Sequence, residues 1–98
     1  MVMRRARLEA HVDILKVLAR HGPLKRTHIM YKAELNGGFL RQYLDFLIQQ
    51  NLVEEQTLKK RVVYSITERG RTALKYFREI NSALQITEEE NKIPASLY

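Results

Sequence analysis

Hydrophobic positions along this chain repeat with two different periods. From Arg4 to Arg20, apolar residues recur at Leu8, Val12, Leu15 and Leu18, with Ile14 and Ala19 alongside; Arg7, Glu9, Asp13, Lys16 and Arg20 fall on the other sides. Steps of three and four place one apolar stripe on one helical face. Gly22 supplies a stop and Pro23 removes a backbone donor, so the spacing predicts a first helix ending near His21. Thr27 is expected to cap a short second helix through Glu34 or Leu35, with Ile29, Met30, Ala33 and Leu35 facing inward. The next junction, Asn36-Gly37-Gly38, has two readings, because Asn-Gly is also a strong hairpin signal. Neither flank alternates with period two, and Leu40, Tyr43, Leu44, Leu47 and Ile48 keep helical spacing. Asn36 is therefore expected to cap a third helix, which should stop at Asn51, a residue tolerant of the left-handed conformation.

Beyond Asn51 the pattern changes to β. Val53 to Leu58 and Arg61 to Thr67 flank Lys59-Lys60, and Val63, Tyr64 and Ile66 are types suited to a half-buried pleated surface. Thr67 then reads as the cap of a fourth helix, with Glu68 in its first turn. Ala73, Phe77, Ile80 and Leu84 continue in steps of four, three and four, broadened by Leu74, Tyr76 and Ala83. A seam this wide on a projecting helix asks for a partner chain to cover it. The helix runs to about Asn91 in one reading; in the other, Thr87-Glu88-Glu89-Glu90 forms a capping box and the chain breaks near Ile86. Ile93, Leu97 and Tyr98 of the tail are candidates to dock on the seam. The expected organisation is a lobe over 4–67, a dimerisation helix over 68–91 and a tail over 92–98.

Composition narrows what such a chain does. At 98 residues it has room for one modest core, not for two lobes around a substrate cleft. It has no cysteine, which excludes disulfides, thiolate metal sites and a Cys nucleophile, and agrees with a reducing compartment. No apolar run reaches the roughly 20 residues of a membrane span, so a cytoplasmic protein without membrane contact is expected. Net charge is +6, and residues 1–78 hold 16 basic and 7 acidic residues, whereas 79–98 hold one Lys and four Glu. A basic body attracts a polyanion. His11, His21 and His28 make no ligand pair with a carboxylate, and no Ser-His-acid set or phosphate loop can be assembled. No enzyme activity, cofactor or metal is expected.

The segments Thr27-His28-Ile29-Met30-Tyr31-Lys32-Ala33-Glu34-Leu35-Asn36, Leu40-x-x-Tyr43-Leu44-x-x-Leu47, Asn51-Leu52-Val53-Glu54 and Tyr64-Ser65-Ile66-Thr67-Glu68-Arg69-Gly70 together form a known pattern. Over about residues 5–85 the chain resembles archaeal winged-helix proteins, specifically the small basic ten-kilodalton class "a" chromatin-associated proteins of Sulfolobus-like archaea. The resemblance implies a mainly α (α+β) winged helix-turn-helix with a long C-terminal dimerisation helix. It also implies a homodimer joined by an antiparallel coiled coil, with a nucleoid-associated role and weak sequence preference. Thr87 and Asn91 on the seam depart from the family's apolar pattern.

Double-stranded DNA is the expected partner. Lys25, Arg26, Lys32, Lys59, Lys60 and Arg61 are the expected phosphate contacts, with Arg4, Arg5 and Arg7 as additions. Gly37 and Gly38 would bring first-turn amides close to a phosphate. Arg41 and Gln42 are the expected base readers, and Asp45 is expected to pair with Arg41 at i, i+4 spacing. Tyr31, Tyr43 and Tyr64 read as core residues with hydroxyls at the surface, and Phe39 as cover over the glycines. A site-specific transcription regulator is the alternative, and a protein-interaction module the third reading.

Overall fold

The computed structural model describes residues 7–96, with side chains described for 7–84. The element order is α1 (Arg7–His21), α2 (Arg26–Ala33), α3 (Gly37–Gln49), β1 (Val53–Leu58), β2 (Arg61–Ile66) and α4 (Glu68–Ser96). Three helices pack around one core with an antiparallel hairpin against them, and α4 closes the core with its first turns. This is a winged-helix fold. Val12, Ile14, Leu15 and Leu18 of α1 meet Ile29, Leu40, Leu44 and Leu47 of α2 and α3, with Val53, Ile66 and Leu74 completing the cluster. Leu8, expected on the stripe, is exposed, and Ala10 is buried instead. The core ends one turn short of the start of α1, so the stripe has nothing to pack on there.

Two of the helix ends carry the same hydrogen-bond pattern. Leu35 and Glu34 N–H donate to the carbonyls of Met30 and Tyr31, and Leu52 and Asn51 N–H donate to those of Leu47 and Ile48. Both are Schellman closures with a left-handed residue, Glu34 at φ 54° and Asn51 at φ 61°. Asn36 caps α3 by accepting from the Gly38 amide at 2.8 Å. Thr27 does not cap α2: the cap position is Lys25, and Thr27 lies within the first turn. The reason is tertiary. Leu24 and Tyr64 exchange two backbone hydrogen bonds, of 3.0 and 2.8 Å, which hold the chain extended up to the helix start.

The corner between α3, β1 and α4 is tied by one tetrapeptide. The Thr67 N–H donates to the Leu52 carbonyl at 3.1 Å, and its hydroxyl donates to the Asn51 carbonyl at 2.6 Å while accepting from the Gly70 amide at 2.9 Å. Arg69 Nε donates to the Gln50 carbonyl at 3.0 Å. Gly70 sits so close that a Cβ there would lie 2.2 Å from the Leu52 carbonyl oxygen. Thr67-Glu68-Arg69-Gly70 thus caps α4 and fastens it to the end of α3.

The α4 helix continues unbroken through Ile86 and Asn91 to Ser96, about 43 Å at 1.5 Å per residue. The helix thus runs across the expected capping-box break through Glu88, Glu89 and Glu90, good helix formers, and past Lys92, the expected start of the tail, although Pro94 there supplies no amide donor. The docking expected of Ile93, Leu97 and Tyr98 lies outside the described side chains.

Candidate nucleic-acid interface

Strand register sorts the hairpin into two faces. Val53 pairs with Ile66, Glu55 with Tyr64 and Thr57 with Val62, so these share one face; Glu54, Gln56, Val63 and Ser65 share the other. The first face turns toward α3. Between it and α3 lies a cleft lined by Arg26, Arg41, Leu44, Asp45, Glu55 and Tyr64, of about 240 Å³. A wider groove of about 630 Å³ runs from the start of α2 onto the wing, lined by Lys25, Arg26, Thr27, Glu55, Arg61, Val62 and Tyr64. Lys25, Arg26, Arg41 and Arg61, from the cap of α2, α2 itself, α3 and β2, therefore line two adjoining recesses that share Arg26, Glu55 and Tyr64.

The hairpin loop has only two residues, Lys59 and Lys60, since Leu58 pairs directly with Arg61. Their φ values are 50° and 66°. Positive φ at both central positions defines a type I′ turn, a shape favoured by Asn-Gly and disfavoured for lysine. The wing tip thus presents two exposed cations on an unfavourable backbone.

At the head of α3, Gly37 and Gly38 are exposed and neither has a positive φ. The Gly38 amide is taken by Asn36 and the Leu40 amide by the Asn36 carbonyl. The amides left to approach an anion are those of Gly37 and Phe39, one glycine fewer than expected. Phe39 is 57% exposed with its ring 6.4 Å from that of Tyr43, so it flanks the glycines without closing over them.

Other expected contacts lie elsewhere. Gln42 shares a cavity with Arg7, His11, Tyr43 and Phe46, on the α1 side of α3. Lys32 lines a cavity with residues of α1 and α4. Among the described residues, Arg41 and Asp45 form no ion pair; they face the same cleft together with Arg26 and Glu55. Tyr31 is 74% exposed, not a core residue, because two positions on from the buried Ile29 it lies on the opposite side of α2. Arg4 and Arg5 lie outside the described residues.

The sequence reading missed Glu55 and underestimated Tyr64. Tyr64 bonds Leu24 through its backbone and stands directly opposite Glu55 in the strand register. Burial first, then the charge and hydrogen bond of Glu55, push the Tyr64 pKa up, so it remains a neutral donor. The available signal was strand alternation, which places Tyr64 two residues before the buried Ile66 and opposite Glu55.

On the other side of α3, His11 is stacked on Phe46 at 4.7 Å and meets Tyr43 edge-on at 5.0 Å, and its Nε2 is buried without a partner among the described residues. Burial, and secondly Arg7, lower its pKa. No group of three His, Asp or Glu side chains among the described residues is placed to hold a metal ion. No helix among them is long and apolar enough to cross a membrane.

Comparison with known proteins agrees with this geometry. A sequence family described as "Winged helix-turn-helix" matches residues 4–85. Among solved structures, Sso10a-2, a DNA-binding protein from Sulfolobus solfataricus, superposes with a TM-score of 0.69 at 29% identity, covering 88% of this chain and 92% of that one. YusO from Bacillus subtilis gives 0.74 at 23% identity, and the match spans 80% of this chain but 57% of YusO. The transcriptional regulator YodB from B. subtilis gives 0.67 at 28% identity, covering 74% of each chain. No curated protein sequence matches significantly.

Proposed function

Starting from the fact that this chain belongs to the winged helix-turn-helix family, we propose that it binds double-stranded DNA as a homodimer and packages archaeal chromatin with little sequence selectivity. The observation that carries this reading is the placement of Lys25, Arg26, Arg41 and Arg61 around the two adjoining recesses beside the wing, with Lys59 and Lys60 at its tip. Cations there meet phosphates on either side of a groove occupied by α3. Gly37 and Phe39 amides at the positive end of α3 add a further phosphate contact.

Low selectivity follows from what α3 lacks. Its first turn starts with two glycines, and Gln42 shares its cavity with α1 residues and not with the recess. Arg41 remains as the base reader, worth about 1–3 kcal/mol of discrimination at a guanine. One such reader per lobe leaves affinity dominated by ion exchange. The 29% identity to Sso10a-2, described as a DNA-binding protein, supports the same assignment.

Dimerisation through α4 is supported by its exposed apolar side chains. Ile80, Leu84 and Tyr76 are each more than half exposed, whereas Ala73 and Phe77 are partly covered by the lobe. The outer part of the seam is available to a second copy, and an antiparallel pairing would set the two lobes at opposite ends.

A second reading, a site-specific transcription regulator, is favoured by Asp45 and Glu55 in the recess. Carboxylates there repel phosphates and accept from cytosine amines, which makes fit depend on sequence. A salt-titrated competition between random duplex and genomic fragments decides between them. Comparable affinity for both at matched salt is expected; a preference of a thousandfold or more for particular fragments would establish the regulator instead. Loss of all duplex retention at low salt would end both.

A further inference from the structure

The side of the molecule built from α1, α2 and α4 holds a second basic recess. It is a cavity of about 300 Å³ lined by Lys16, Val17, Arg20, His21, Lys32 and Arg78. Five of these six are basic residue types, and no carboxylate is among them. None belongs to α3 or the hairpin, so this recess is separate from the one assigned to duplex binding.

Helix ends account for part of this clustering. Arg20 and His21 occupy the last turn of α1, and Lys32 the last turn of α2, where cations offset the negative end of the helix dipole. Lys16 lies a turn earlier, and Arg78 is in the interior of α4. Neither serves a helix end. Their convergence brings like charges together with no compensating acid in the lining, an arrangement that an anion would relieve.

The cavity is also held in shape. Leu15 and Leu18 fix α1 in the core, Ile29 and Ala33 fix α2, and Leu74 with Phe77 fixes α4 next to Arg78. Little ordering of the backbone is left for a ligand to impose. Val17 is the one apolar residue type in the lining; the rest of its apolar surface comes from the aliphatic stems of the Lys and Arg side chains, whose charged ends supply the donors. Two guanidinium groups provide planar forks that match phosphate oxygens, and two ammonium groups add point charges. One carboxylate would leave most of these donors unmet, whereas two neighbouring phosphates would engage them. A volume at the lower limit of small-molecule sites agrees with that size.

We propose that the α1–α2–α4 cavity is a binding site for paired phosphate groups. Two sources share this chemistry, a free diphosphate and successive phosphates of a second nucleic-acid strand. The proposal is independent of duplex binding at the α3–wing recess.

The test uses the full chain, with inorganic pyrophosphate as the probe in calorimetry and thermal-shift titrations, and sulfate at equal ionic strength as the control. Saturable binding is expected, weakened about tenfold or more by Arg20→Gln with Arg78→Gln. Both side chains are exposed, and circular dichroism checks that the variant is folded. Lys59→Ala with Lys60→Ala should leave pyrophosphate binding unchanged. If pyrophosphate fails to bind, a second equivalent of short duplex, taken up by the unmodified protein and lost in the Arg20/Arg78 variant, identifies the source as a nucleic-acid strand. Equal pyrophosphate binding by both proteins, or no Arg20/Arg78-dependent binding of either probe, overturns the proposal. Duplex affinity at the wing is measured in parallel, so failure here is distinct from failure of that assignment.

Discussion

Lys59 and Lys60 accept a backbone shape that asparagine and glycine adopt far more readily, and they do so at the point of the hairpin farthest from the core. Backbone strain of this kind is retained where the side chains have another use. Replacing them as Lys59→Asn with Lys60→Gly should raise stability by about 1–2 kcal/mol in urea denaturation. Under the proposed function the same variant weakens duplex binding and reduces the steepness of its salt dependence by about two per lobe. Gly70 behaves in the opposite sense. A methyl group at that position collides with the Leu52 carbonyl and Ile66, so Gly70→Ala should destabilise by about 1–3 kcal/mol by the same measurement. His11 adds a pH term. Its native pKa lies below the ordinary 6.5, so in the window between the two values the unfolded chain holds a proton that the native protein does not. Stability from this site is therefore present above 6.5 and lost as pH falls through that window. Urea midpoints of the unmodified protein should drop more on acidification than those of His11→Phe.

Among the elements, those whose signals were local were legible from sequence. Asn36 and Thr67 cap the helices assigned to them, and Asn51 takes the left-handed conformation that closes α3, because these roles depend on the chemistry of one residue and its immediate neighbours. Signals set by tertiary contact were not. The start of α2 is fixed by pairing of Leu24 with Tyr64, 40 residues away in sequence, and Thr27 lost its expected role to that contact. The candidate interface was similarly divided. Charge and order along the chain indicated the wing tip, Arg26 and Arg41, but the destinations of Gln42 and Lys32 depend on which neighbours α3 and α2 turn toward. The α4 helix combines both cases, since Phe77 serves the lobe while Ile80 and Leu84 remain exposed. Ile80→Asp with Leu84→Asp should convert the proposed dimer to monomer by light scattering, with the lobe still folded. A dimer that persists would place its interface elsewhere.

At the scale of the whole molecule, ion exchange gives the most quantitative expectation. If a dimer neutralises about eight phosphates, the slope of log affinity against log salt is near −7, and affinity falls more than a thousandfold for roughly a threefold rise in salt. Removing Lys59, Lys60 and Arg61 together by alanine substitution should flatten that slope and abolish most retention on random duplex; unchanged binding would assign the surface to a protein partner. The bonds from Thr67 and Arg69 to the carbonyls of Gln50, Asn51 and Leu52, which close the end of α3, also have a mechanical meaning. They make α4 and α3 a single stiff crank. If two such cranks are joined along α4, a few degrees of twist at the joint swings both lobes at once, and the spacing and tilt of the two bound sites change together without any rearrangement inside either lobe.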